Sequence, residues 1–360
     1  MIQPTGLSVL DRLGLADRLL AHGARIDRLF GQAGGRTVLD VRYAALGRAQ
    51  AFGVGTHRAS LFAILHDACR ADGIPIQTGR TIRESELTKA GKRRLLFADG
   101  RASGSFDLIV DMLGCRSSLA PPCGRELAYG ALWASLDLPE GLFDGAALEQ
   151  RYRRTSVMAG VLPIGTPPHG SAPQAAFFWS LRADRLSEWR ERGLDTWKAE
   201  VAALWPATVT LLDQIGDPEQ LTFTRYAHRT LPKPGEEALI HLGDAWHSAS
   251  PQLGQGANMA LLDAWALARG LRRATSVREA IAETISSRRR HVRSYQWLTA
   301  LFTPVYQSDS WLLPFARDRI VGPLSRVWPA TWIQAAMVSG LIGDPLAPLG
   351  LEASAPAPRL

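Results

Sequence analysis

The stretch that most constrains this 360-residue chain is LIHLGDAWHSASPQLGQGANMALLDAWALARGL, residues 239–271. Its apolar start reads as a buried strand that delivers Gly243 and Asp244 at the carboxyl end. A loop with Pro251 and Gly254-Gln255-Gly256 follows, and Ala257-Asn258 opens a helix. Ala257, Ala260, Leu261, Ala264, Leu267, Ala268 and Leu271 share one face of that helix. Each part has a chemical use. Ligands of open α/β sheets bind outside the carboxyl ends of strands, and glycines let backbone amides approach them closely. A carboxylate there accepts bonds from sugar-type hydroxyls. A helix N-terminus offers free N–H donors and a partial positive charge, which suits a phosphate or an anionic ring oxygen. The pattern predicts half of a cofactor site.

Upstream, Leu7, Leu10, Leu15 and Leu19 predict short helical turns broken at Gly14. The Gly34-Gly35 pair in IDRLFGQAGGRTVLDV predicts a tight hairpin. AQAFGVGTHRASLFAILHDACRADG reads as strand, turn and helix, IPIQTGRTI as a strand, and FDLIVDM as a buried strand closing a meander. APPCGREL, 120–127, marks a domain boundary. Beyond it, YGALWASLDL, RRTSVMAGVLPIG and AAFFWSLRA predict an antiparallel sheet, interrupted by a helical region with Trp189, Trp197 and Trp205. The expected division is a discontinuous first domain of residues 1–125 and 229–290, a sheet domain of 126–228, and a carboxyl-terminal helical segment of 291–360.

Composition removes several classes. The net charge is +7, carried by only four Lys and 37 Arg, which points to coding bias more than to a binding surface. Eight arginines fall within 269–293 and read as the solvated face of a helix, so no nucleic-acid partner is assigned. Cys69, Cys115 and Cys123 are odd in number and lack C-x-x-C spacing, which indicates neither a disulfide framework nor a thiolate metal site. No run approaches the ~18 apolar residues of a spanning helix, and a cytoplasmic location is expected. The Trp-rich stretch 297–332 reads as core packing in preference to a membrane belt.

The order G-D-A-x-H, then P-x-x-G-Q-G-x-N, then Asp263-Ala264, resembles the second flavin-contacting motif of the class A FAD-dependent monooxygenases, the p-hydroxybenzoate hydroxylase-like family. HRASLFAIL, 57–65, is similar to the family's R-x-x-L helix, with Arg58 matching its Arg. IQPTGLSVLDRLGL is similar to the segment after the nucleotide half, and LFTPVYQSDS with RDRI resembles the ubiquinone-type hydroxylases. The resemblance implies a mixed α/β fold: a discontinuous, Rossmann-like ββα-type FAD-binding domain with an antiparallel-sheet substrate domain. It implies FAD held non-covalently, NADH or NADPH as co-substrate, and oxygen. An aromatic or quinone-like small molecule would be hydroxylated through a flavin C4a-hydroperoxide. Cofactor contacts are implied for Arg58, Gly243, Asp244, Pro251, Gly254, Gln255, Gly256, Ala257 and Asn258. No catalytic residue and no metal ligand is assigned, and the oligomeric state is left open. Trp133, Phe177, Trp179 and Tyr226 are candidates to line the substrate space.

Two departures accompany the likeness. Where the family carries D-L-V-V-G-A-D-G-x-x-S, this chain reads DLIVDMLGCRSSL, with Leu113 at the expected Asp. Asp111 would share a face with Leu113 if the strand ran on, and so could compensate. The family's G-x-G-x-x-G unit is expected before IQPTG. GVGTHRA, 53–59, is a poor substitute, because Arg58 fills the third glycine's place. The alternatives are therefore a truncated or inactive homologue without stable FAD binding, or a related flavoprotein of halogenase or prenyl-reductase type. The expectation for the chain as written is weak FAD binding and exposed strand edges; a stoichiometric yellow protein after reconstitution would refute it.

Overall fold

The structure, a computed structural model, describes residues 1–47, 51–168 and 170–353. At the amino terminus α1 (Pro4–Arg12) and α2 (Ala16–His22) are separated at Gly14, whose φ of 69° ends the first helix. After β1 (Ala24–Ile26) comes the predicted hairpin, β2 (Arg28–Ala33) and β3 (Arg36–Arg42). Gly34 and Gly35 take φ of 53° and 78°, the two positive values that a tight hairpin turn needs. β4 (Gly53–Gly55) pairs antiparallel with β1 and leads into α3 (Arg58–Ala71); Ala49 and Gln50, where the predicted strand begins, lie outside the described residues. Residues 74–81 form no strand. The chain becomes extended only in the hairpin β5 (Ile82–Leu87) and β6 (Arg93–Phe97), and β7 (Ile109–Asp111) follows.

The three predicted long strands appear as β8 (Arg125–Asp137), β10 (Val157–Gly165) and β11 (Gln174–Arg182), with β9 (Ala147–Arg153) between the first two. Next come α4 (Leu186–Arg192), α5 (Leu194–Leu204), α6 (Val209–Leu212) and β12 (Thr222–His228). One sheet results, in the order β12-β8-β11-β10-β9-β2-β3. The β2–β3 hairpin, expected with the 1–125 part of the first domain, instead completes this sheet, β2 lying parallel to β9. Period-two alternation puts Leu132, Ala134, Phe177 and Trp179 on one face, buried against Trp189, Trp197, Val201 and Trp205. The Trp197 ring meets those of Trp189, Phe177 and Trp179 edge to face, with centroids 6.0 to 6.4 Å apart. Phe177 and Trp179 are thus core residues closed off by helices, which corrects their candidacy as substrate-lining groups.

The rest of the chain returns to the first domain. β13 (Gly235–Glu236) and β14 (Leu239–His241) form a three-stranded sheet with β7, and β14 runs parallel to β7. Among the described residues no strand pairs with the outer edge of β7, and Val110 is exposed there. Then follow α7 (Asp244–His247), α8 (Gly256–Arg273) and the long α9 (Val277–Tyr306). Three short helices close the described chain: α10 (Leu312–Ala316), α11 (Gly322–Leu324) and α12 (Ala330–Val338). This last segment lies over β3, but Trp297, Trp311, Trp328 and Trp332 face outward, so the expectation of core packing fails for them. Among the described residues no helix is long and apolar enough to cross a membrane.

GVGTHRA does occupy a strand–turn–helix, as β4 and the start of α3, but its glycine serves packing. A Cβ on Gly55 would lie 1.9 Å from the carbonyl oxygen of Pro163 in β10. Backbone cannot move aside as a side chain can. Gly55→Ala is therefore expected to destabilise the fold by about 1–3 kcal/mol, read from thermal unfolding by circular dichroism; an unchanged transition would mean that the two strands can separate at no cost.

Candidate cofactor site

The strand, glycine turn and helix predicted for the half-site are all present. β14 ends at His241, and Gly243 turns the chain with φ 56° and ψ −138°, a conformation that essentially only glycine adopts. Asp244 then opens α7. Its side chain makes no hydrogen bond among the described residues, and surrounding protein pushes its carboxyl above the ordinary value, with His247 opposing. Pro251 starts a short 3₁₀ turn and is exposed, and Gly254 takes the left-handed conformation at φ 62°. α8 follows without a side-chain cap.

That missing cap is informative. The amides of Gly256, Ala257 and Asn258 find no acceptor among the described residues, whereas Met259 already bonds back to the Gln255 carbonyl. Gly256 and Ala257 are exposed, and a Cβ on Gly256 would stand 3.9 Å from Asp244 Oδ1. A bare helix end and a free carboxylate therefore share one opening. Donors of this kind fit an anionic ring oxygen or phosphate, and the carboxylate fits a hydroxyl chain, as a flavin nucleotide presents.

Gln255 and Asn258 play another part. The Gln255 side-chain amide is buried and donates to the Val338 carbonyl at 2.5 Å. Asn258 Oδ1 accepts from the Gln3 amide at 2.8 Å, and its Nδ2 donates to the Gly254 carbonyl at 3.0 Å. Their side chains turn inward and hold the loop. Gln3 in turn accepts from the Tyr43 hydroxyl at 2.5 Å, while Ile2 and Val54 exchange backbone bonds. Met1–Gln3 thus bridges the glycine loop to β4, four residues before Arg58. Arg58 is exposed and makes no ion pair or hydrogen bond among the described residues.

Behind the loop stands a buried cluster that spacing did not reveal. Asp263, fully inaccessible, accepts from the Gly243 amide at 3.0 Å, from His247 Nε2 at 2.6 Å and from Arg288 Nε at 2.8 Å. Burial drives its carboxyl up, but His247 and Arg288 more than compensate and hold it at about 2. Arg288 also donates to His291 Nδ1 at 3.0 Å, and His291 Nε2 donates to the Gly340 carbonyl at 3.0 Å. Burial and the Arg288 charge lower His291 to about 3, so it is neutral. His247 belongs to this scaffold. Arg288 corrects the view of 269–293 as a wholly solvated basic face. The signal was available: Arg288 shares the buried stripe of Ile281, Thr284, Val292 and Tyr295 on α9.

Asp111 does not stand in for the family's Asp. β7 ends at that residue, so the strand does not run on to Leu113, which is 47% exposed. The Asp111 carboxylate turns inward, accepting from His241 Nδ1 and Ser117 Oγ, both at 2.6 Å, and from the Leu113 amide at 3.0 Å. Burial opposes its charge, but these bonds hold it below its usual value. A cavity of about 670 Å³, lined by Glu236, Glu237, Arg278 and Ile281, lies at the opposite end of β14 from the glycine loop and shares nothing with the site.

Comparison with known proteins bears on the fold. Residues 143–296 match the family described as FAD binding domain. The fold is similar to that of Klebsiella pneumoniae HpxO, solved with FAD and uric acid, at 20% identity and a TM-score of 0.74 over 95% of this chain and 88% of that one. It is similar to Pseudomonas aeruginosa PqsL in complex with 2-aminobenzoylacetate, at 17% identity and a TM-score of 0.73 over 85% of each chain. It is similar also to 2-methyl-3-hydroxypyridine-5-carboxylic acid oxygenase, at 18% and 0.71 over 91% and 86%. No curated protein matches by sequence. The chain therefore shares its fold with these FAD-bound and oxygenase structures, and its residues 143–296 match a FAD binding domain.

The buried cluster has a pH signature. The folded Asp263 carboxyl lies below its unfolded value of about 3.9, so its contribution to stability is complete above that pH and disappears as pH falls toward 2. Asp263→Asn is expected to cost about 3–5 kcal/mol by leaving Arg288 buried without its counter-charge, and to flatten the acid limb of stability. Urea unfolding measured from neutral pH downward checks both, and an acid limb as steep as the parent's would refute the assignment.

Proposed function

We propose that the chain is a FAD-dependent, NAD(P)H-using monooxygenase that hydroxylates an aromatic or quinone-like small molecule. The observation that carries this is the pairing of an uncapped α8 N-terminus with the free Asp244 carboxylate at the end of β14. Bound FAD supplies hydride acceptance from the nicotinamide and activation of oxygen. The chain supplies placement. The Gly256 and Ala257 amides hold the anionic part of the flavin nucleotide, Asp244 accepts a hydroxyl of its sugar-alcohol chain, and Arg58 supplies a positive charge near it.

Substrate belongs on the sheet face turned away from α4–α6. Trp133 packs there against Phe178, the rings tilted by 36° with centroids 4.8 Å apart, and Tyr226 lies beside Trp133, its hydroxyl kept protonated by burial. An apolar aromatic wall suits a flat, electron-rich ring and keeps out water that would divert the activated oxygen. HpxO and PqsL, which share this fold, were solved with uric acid and 2-aminobenzoylacetate, both small ring compounds.

The site is tested by titrating the full chain with FAD and following quenching of flavin fluorescence. Loss of a charge-assisted hydrogen bond of about 1.5–3 kcal/mol means that Asp244→Ala raises the FAD Kd roughly 10- to 100-fold. Parent and variant behaving alike would overturn the assignment, whether both bind or neither does. Product analysis with NAD(P)H and an electron-rich phenol then separates hydroxylation from halogenation or reduction.

A further inference from the structure

The surface farthest from ordinary expectation lies in residues 289–333. Trp311, Trp328 and Trp297 are 83%, 80% and 65% exposed, and Leu301, Phe315 and Trp332 are exposed with them. At about 150–250 Å² for each large aromatic side chain, three tryptophans so exposed present roughly 340–570 Å², the size of the largest apolar patches on soluble monomers, which are often functional. The segment is one physical unit, since α10 packs against α9 and the following turns lie on β3.

Charge says what covers it. Along α9 the outward stripe is basic first, at Arg289, Arg290 and Arg293, and then apolar, at Trp297 and Leu301. The three arginines make no ion pair among the described residues. Only two acids fall in 289–333, and both are neutralised, Asp309 by Arg182 and Asp318 by Arg317. Arg319 and Arg326 add exposed positive charge beside the tryptophans. A two-fold contact with a second copy would set these arginines against their own images. An anionic, apolar-cored layer answers both features: Trp and Leu enter the acyl boundary while Arg meets phosphate headgroups.

We propose that the outward face of 289–333 docks the protein on an anionic lipid bilayer without crossing it. The inference does not depend on the reaction.

Flotation of the full chain with vesicles of phosphatidylglycerol and phosphatidylcholine tests it, beside vesicles of phosphatidylcholine alone. The parent is expected to float with the anionic vesicles, less so at high salt, with a blue shift in tryptophan fluorescence. The Trp311→Ser/Trp328→Ser variant should partition at least about tenfold more weakly, and Arg290→Gln/Arg293→Gln roughly tenfold or more, both with the parent's circular dichroism. Failure of the parent to float overturns the proposal, and so does flotation undiminished in both variants. A dimer that the Trp substitutions dissociate, without flotation, assigns the face to a second copy instead.

Discussion

A carboxylate sealed from water survives as an anion only if its oxygens are filled by donors, and Asp263 meets that condition with partners from three separate segments. The Gly243 amide comes from the turn after β14, His247 from α7 and Arg288 from α9. None can shift without uncovering charge in a dry interior. Arg288 extends the constraint through His291 to the Gly340 carbonyl, so the glycine turn and the carboxyl-terminal segment are fixed to one point. Gly243 holds a backbone conformation that costs other residues energy, and the bond from its amide to Asp263 keeps it there.

From that anchor follows a division of labour within G-Q-G-A-N. Had Gln255 or Asn258 turned outward, either could have capped α8 and consumed the donors that make its end useful. Both turn inward, to Val338 and to Gln3, and Gly256 and Ala257 have no side chain able to cap. The free amides are thus a product of packing, not of the helix alone. The same inward bonds explain why Met1–Gln3 lies between the loop and β4. Asn258 needs the Gln3 amide, and Gly6 must lack a side chain, since a Cβ there would sit 2.2 Å from Asn258 Oδ1.

How much of this was legible in the sequence varies with the range of the interaction involved. Gly34-Gly35, Gly14 and Gly243 announce turns through their own backbone freedom, and the long strands of the sheet announce themselves through period-two alternation; these are local signals. The membership of β2–β3 in the large sheet is set by a partner more than a hundred residues away, and no local pattern carries it. Phe177 and Trp179 read as candidates for the substrate space because aromatic character does not say which face helices will cover. Arg288 was hidden differently. Its neighbours Arg289 and Arg290 made the run look solvated, while helical phase had already put it among Ile281, Thr284 and Tyr295.

Two of the places where the described residues expose apolar side chains differ in kind. At β7, Val110 lies on a strand edge that no other strand pairs with among the described residues, beside exposed Met112 and Leu113. A free edge presents unpaired N–H and C=O groups, which only another strand or water can satisfy, so hydrocarbon is a poor environment for it. In 311–333 the backbone is largely helical and bonds to itself, leaving only side chains to be accommodated. Such a surface asks nothing of its neighbour beyond an apolar medium and negative charge at the rim. Tryptophan, with an apolar body and one N–H donor, is the side chain best matched to that boundary. Backbone satisfaction, more than hydrophobicity, therefore distinguishes the surface that can enter a lipid layer from the edge that cannot.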